Sequence, residues 1–99
     1  MASFVVETYV PLGNADRFAV DVDGIRAAAA TVVTADGQVH HVRSYLVPSD
    51  EMGFHVVEAM NAEDVARMAE LAHIDVERIV EAVGVGPGDA GRQRTARAR

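Results

Sequence analysis

Three times along this chain a pair of β-branched residues runs straight into a glutamate: Val5-Val6-Glu7, Val56-Val57-Glu58 and Ile79-Val80-Glu81. Such pairs favour pleated backbone, so each phrase predicts a strand with its glutamate at mid-strand. Between the first two phrases the apolar spacing changes to three and four. Phe18, Val22, Ile25, Ala29 and Val32 keep that period, and the run Ala27 to Ala30 favours helix. The first strand is expected over Ser3 to Val10, ended by Pro11-Leu12-Gly13-Asn14. The helix follows within Ala15 to Ala35; Gly24 interrupts it and allows a start as late as Asp23, and Asp36-Gly37 closes it.

Gln38 to Val47 reads as a second strand and Gly53 to Met60 as a third, with a hairpin loop over Pro48 to Met52. Asn61 has the character of an N-cap, and Glu63 and Asp64 follow in the first turn, where the helix dipole favours anions. Val65, Met68 and Leu71 give the second helix its apolar stripe. That helix ends near His73, and the last strand runs from Glu77 to Val85. The predicted order is β-α-β-β-α-β. It defines an α+β, ferredoxin-like sandwich with a four-stranded antiparallel sheet and two helices on one face.

Composition adds bounds. Ninety-nine residues, 49% hydrophobic, suffice for one small core. Without cysteine there are no disulfides, thiolate metal sites or thiol nucleophiles. Up to Val85 fourteen acidic residues stand against five arginines, a balance of −9; from Gly86 onward four arginines stand against Asp89. The sequence therefore divides into a domain, 1–85, and a basic tail, 86–99, expected to be disordered. The acidic body excludes nucleic acid as its expected partner and is compatible with cations. Nothing at the N-terminus has the form of a signal sequence and no apolar run is long enough to span a bilayer, so a cytoplasmic, membrane-free location is expected.

Certain phrases carry a family resemblance. Val42-Arg43-Ser44-Tyr45-Leu46-Val47-Pro48, the Glu58-Ala59 step before the second helix, and Arg78-Ile79-Val80-Glu81-Ala82-Val83 together resemble a small ferredoxin-like bacterial family, common in actinobacteria, usually called nickel-binding protein. The resemblance covers about Phe4 to Val85. It implies a homodimer and divalent nickel as a possible ligand, without naming the ligating residues. The chain departs from the family in having His55 roughly where members often carry cysteine, and His73 near a position where they tend to have glycine.

Strand alternation puts Val5, Glu7 and Tyr9 on one side of the first strand, and His41, Arg43 and Tyr45 on one side of the second. With the usual strand order, Glu7 would lie between Glu58 and Glu81 on the open face of the sheet, with Arg43 beside Glu58. Close carboxylates of this kind need a cation, an arginine, a proton or a partner subunit to relieve their repulsion. Three glutamates on the wet face of a one-sided sheet are the plainer alternative. His40 and His41 are consecutive, so they point to opposite faces and do not chelate together. His41, His55, Glu7 and Glu58 are the candidate metal ligands, and imidazole with carboxylate suits nickel, zinc or copper. Tyr9, Arg43, Tyr45 and Glu81 complete a candidate sheet-face site. His73 fits a helix C-terminus, where the dipole favours it.

Two functions follow as expectations. The first is a divalent-metal, plausibly nickel, binding homodimer concerned with sequestration or handling. The alternative is a dimeric α/β-barrel enzyme, of the cofactor-free monooxygenase, cyclase or isomerase type, with a sheet-face glutamate as general base; this is argued by fold analogy. No phosphate loop or nucleophile motif is present.

Overall fold

The computed structural model describes residues 1–84; the basic tail 86–99 lies outside the described residues. The first strand, β1 (Ala2–Tyr9), leads through a turn with Gly13 at φ 89° into helix α1 (Ala15–Thr31). Gly24 neither starts nor interrupts this helix. A methyl group added there would make ordinary van der Waals contact with Ala72 just past the second helix, its carbonyl oxygen at 3.5 Å. The helix stops before Asp36-Gly37, because Thr31-Val32-Val33-Thr34 is a β-branched run with poor helix propensity. The hydroxyl of Thr31 donates to the carbonyl of Ala28 at 2.8 Å.

A two-rung hairpin, β2 (Val33–Thr34) with β3 (Gly37–Gln38), precedes the long strand β4 (His40–Val47). A 3-10 turn over Pro48–Asp50 and left-handed Glu51, φ 54°, reverse the chain into β5 (Met52–Ala59). The Glu51 carboxylate accepts from the backbone N–H of Leu12 at 3.0 Å, tying this turn to the one after β1. Helix α2 (Ala62–Leu71) is capped as expected: Asn61 Oδ1 accepts from the N–H of Asp64 at 2.9 Å. Strand β6 (Val76–Ala82) ends the described fold.

The main sheet is antiparallel with spatial order β4-β5-β1-β6, and both helices cover one face. Phe4 and Val6 of β1 and Val57 and Ala59 of β5 meet Ile25, Ala28 and Ala29 of α1 and Val65 and Met68 of α2. Burial of this apolar set is the principal source of stability. One polar ring lies in the same layer: His55 is fully buried.

No helix among the described residues is long and apolar enough to cross a membrane.

Candidate functional site

The register of β4 decides what the site is. His41 pairs with Val57, yet Arg43 pairs with Val56, so Val42 is an extra residue with no partner on β5. Such a bulge resets the alternation of its strand. His40, Arg43 and Tyr45 face away from the helices, while His41 and Ser44 both face them. This corrects the expected placement: His41 does not share the open face with Arg43 and Tyr45. His40 stands opposite Glu58 in its stead, and Arg43 lies across Val56 rather than beside Glu58.

The same registers disperse the three glutamates. Glu7 lies between Phe54 and Arg78, and its carboxylate is 3.1 Å from Nε of Arg78. Glu58 sits opposite Ser3, four positions along β1 from Glu7 and so about 13 Å away at the rise of a strand. Glu81 pairs with Phe4, a residue of the helix-covered side, because alternation places it on the same side as Ile79, which pairs with Val6 and packs against the core. The acidic triad expected on the open face does not form. That face instead carries an apolar row, Val56-Val5-Val80, with Arg43 at its end, beside the row Tyr45-Phe54-Glu7-Arg78. Tyr9 and Tyr45 are both half exposed there, and the Tyr9 hydroxyl reaches the Glu51 carboxylate at 3.4 Å.

The helix-covered side gathers a different set. Nε2 of His41 is 2.8 Å from Oγ of Ser44, and Ser44 Oγ is 2.7 Å from Nδ1 of His55. Arg26 of α1 approaches the outer nitrogen of His41, Nε to Nδ1, at 3.4 Å. This last contact assigns the protons. A guanidinium only donates, so Nδ1 of His41 accepts and its Nε2–H donates to Ser44. The Ser44 hydroxyl then donates to Nδ1 of His55, which leaves the His55 proton on Nε2. That buried nitrogen has no hydrogen-bond partner among the described residues.

The surroundings explain the electrostatics. His55 is flanked by Val6 and by Ser44 on the neighbouring strands, and its ring stacks on Phe18 at 5.1 Å with 19° between planes. Phe18 fits there because position 53 is glycine; a side chain would come within 2.5 Å of its ring. Burial in this apolar setting, and secondarily the nearby His41, push the His55 pKa down to about 4. Partial burial, then the Arg26 charge, hold His41 below the ordinary histidine value. Both rings are neutral at pH 7, which is the form of imidazole that ligates metal.

Of the expected ligands, then, His41 and His55 come together while Glu7 and Glu58 stay on the opposite face. Among the described residues no three His, Asp or Glu side chains gather where one ion could reach them all. Ser44, Arg26 and Phe18 were not part of the expected set. Ser44 meets His41 only through the bulge at Val42, which strict alternation hides. Arg26 lies outside the apolar stripe of α1, so periodicity carries no signal for it. A groove of about 290 Å³ opens beside His41, lined by Arg26, Gln38, His40 and Val42. The larger hollow along Glu63, Arg67 and Glu70 is the outer surface of α2 and touches none of the site residues.

The fold and sheet order define a small α+β protein of the ferredoxin-like type. The structure is similar to the crystal structure of SCO4226 from Streptomyces coelicolor A3(2), with a TM-score of 0.71 and 20% identity, covering 86% of this chain and 100% of that one. No protein-family model matches the chain, and no curated protein sequence matches it. A likeness at this identity speaks for the fold alone.

Proposed function

We propose that this protein binds a divalent transition metal at His41 and His55, acting as a homodimer. The observation that carries the reading is that Nε2 of His41 and Nδ1 of His55 both face the Ser44 oxygen, at 2.8 and 2.7 Å; ligation through Nε2 of His41 moves that ring's proton to Nδ1 and breaks the Arg26 contact. A metal held by the pair needs metal–nitrogen distances of about 2.0–2.1 Å. Rotation of the Ser44 side chain out of the gap and a small inward shift of His41, which is only half-buried, would bring the nitrogens to that range. Imidazole donors suit nickel, zinc and copper, and the family resemblance in the strands favours nickel. The role is sequestration or handling of the ion.

Dimerisation is supported by the open sheet face. Val5, Phe54, Val56 and Val80 form a contiguous, partly buried apolar patch on the side away from the helices, which a second copy of the chain could cover. The general-base alternative draws less support, since Glu7 is ion-paired with Arg78 and Glu58 and Glu81 are exposed.

Native mass spectrometry of metal-stripped protein titrated with nickel, zinc and magnesium tests both statements. Integral nickel or zinc adducts on a dimer, absent in His41→Ala, support the reading. A metal-free dimer, or adducts that survive His41→Ala unchanged, overturns the metal assignment.

A further inference from the structure

A histidine that ligates metal through one ring nitrogen carries its proton on the other, and that N–H is ordinarily donated to a carboxylate, a backbone carbonyl or water. At His41 the outer partner has the opposite polarity. Nδ1 of His41 faces Nε of Arg26 at 3.4 Å, and a guanidinium donates but never accepts. The contact therefore keeps Nδ1 bare and the proton on Nε2, which faces Ser44 at 2.8 Å. That is the nitrogen through which a metal shared with His55 would be bound. His55 needs no such change: its Nδ1 already accepts from Ser44 at 2.7 Å, and its proton lies on Nε2, away from the gap. One ring stands in the ligating tautomer, and Arg26 holds the other out of it.

We propose that Arg26 is a restraint on the metal site, a positioning residue that touches His41 and not the ion. While its Nε–H holds Nδ1, the His41 ring presents a donor to the gap and does not ligate. An ion enters as the Arg26 side chain swings out and the ring proton moves to Nδ1. Arg26 is exposed on α1 and forms no ion pair among the described residues, so the His41 contact is the bond that the swing gives up. The consequence is a weakly held, readily exchanged metal, which suits handling better than storage. The restraint presupposes the metal reading proposed above. Tight retention would call for an acceptor in place of the donor. The side-chain oxygens of glutamate and glutamine are bonded to Cδ, as Nε of arginine is, so either residue at this position would set an acceptor where the donor now stands.

The test compares the full wild-type chain with Arg26→Glu, Arg26→Gln and Arg26→Met. The position is exposed, so these variants keep the fold, and circular dichroism verifies it. Two quantities are read: the His41 tautomer of the metal-free protein, from ring-nitrogen NMR shifts, and nickel affinity, by calorimetric titration. Glutamine and methionine are both uncharged, so that pair separates hydrogen bonding from charge. The expected His41 proton is on Nε2 in the wild type and on Nδ1 in Arg26→Glu, and Arg26→Glu should bind nickel about tenfold or more tightly than wild type. Arg26→Gln should bind about threefold or more tightly than Arg26→Met, which should in turn exceed wild type. Equal affinity of Arg26→Gln and Arg26→Met overturns the inference, because charge alone then governs uptake. A wild-type His41 proton on Nδ1, or nickel affinity unchanged in all three variants, also overturns it and leaves the metal reading standing. Nickel bound by none of the four chains sinks the metal reading and the restraint with it.

Discussion

The Ser44 hydroxyl lies 2.7 Å from Nδ1 of His55, and it is the one hydrogen bond made by that buried ring among the described residues. Everything else around the ring is apolar or aromatic, so this bond sets its tautomer and its orientation.

Ser44→Ala should therefore be costly. It leaves Nδ1 of His55 as a second unpartnered polar atom in the core, a loss of about 1–3 kcal/mol. Urea unfolding at pH 7 checks this, and a change below about 0.5 kcal/mol would show that the bond contributes nothing to the fold.

Stability should also depend on pH through His55. Its folded pKa of about 4 lies below the unfolded value of 6.5, so between those limits the unfolded chain binds the extra proton. The contribution is fully present above pH 6.5, declines as pH falls through the window, and is gone below about pH 4. The total amounts to about 3 kcal/mol. His41, shifted in the same direction, adds to the decline. Unfolding measured at pH 7 and pH 4.5 should show the loss, and the His55 ring signals should not titrate near pH 6.5. A midpoint near 6.5 for that ring would contradict its placement.

Gly53 is a third point of leverage. A methyl group there would sit 2.5 Å from Phe18 Cε1 and 2.8 Å from Thr8 Oγ1. Gly53→Ala should displace the Phe18 ring, disturb its stacking on His55 and destabilise by about 1–3 kcal/mol. Thermal unfolding with aromatic NMR shifts for His55 reads both effects; an unchanged melting temperature would mean that the Phe18 ring is not held there.

His73 shows how local rules reach into the fold. It stands just past α2 at φ 58°, with its N–H bonded to the Glu70 carbonyl at 3.1 Å and the next N–H, of Ile74, to that of Ala69 at 3.3 Å. That pattern closes a helix through a left-handed residue and favours glycine. His73→Gly should stabilise by about 1 kcal/mol, measured by urea unfolding; destabilisation would show that the imidazole makes a contact that matters.

The four strands of the main sheet, both helices, the Asn61 cap and the strand order were legible because each rests on local propensity and on the number of residues between turns; the short hairpin β2–β3 was not. The face assignment of β1 was legible too, since regular alternation holds along it; the face of His55 on β5 was not, because it hangs on the register of the hairpin. What could not be read was the register of the two edge strands. A single unpaired residue, Val42, turns His41 inward, and Glu81 shares the helix side with Ile79, which packs against the core. One inserted residue reverses every face beyond it, and alternation alone does not reveal where that insertion falls. The candidate site therefore contains two of its four expected metal ligands, and a serine and an arginine in place of the two glutamates.

The most direct test of the central claim is a histidine-ring nitrogen NMR spectrum of the metal-stripped protein during sub-stoichiometric addition of nickel. The chain has four histidines, so each ring can be followed separately. The account predicts that the His41 and His55 signals broaden first and together, while His40 and His73 persist. Broadening that begins at His40 or His73, or none at any ring, would contradict it.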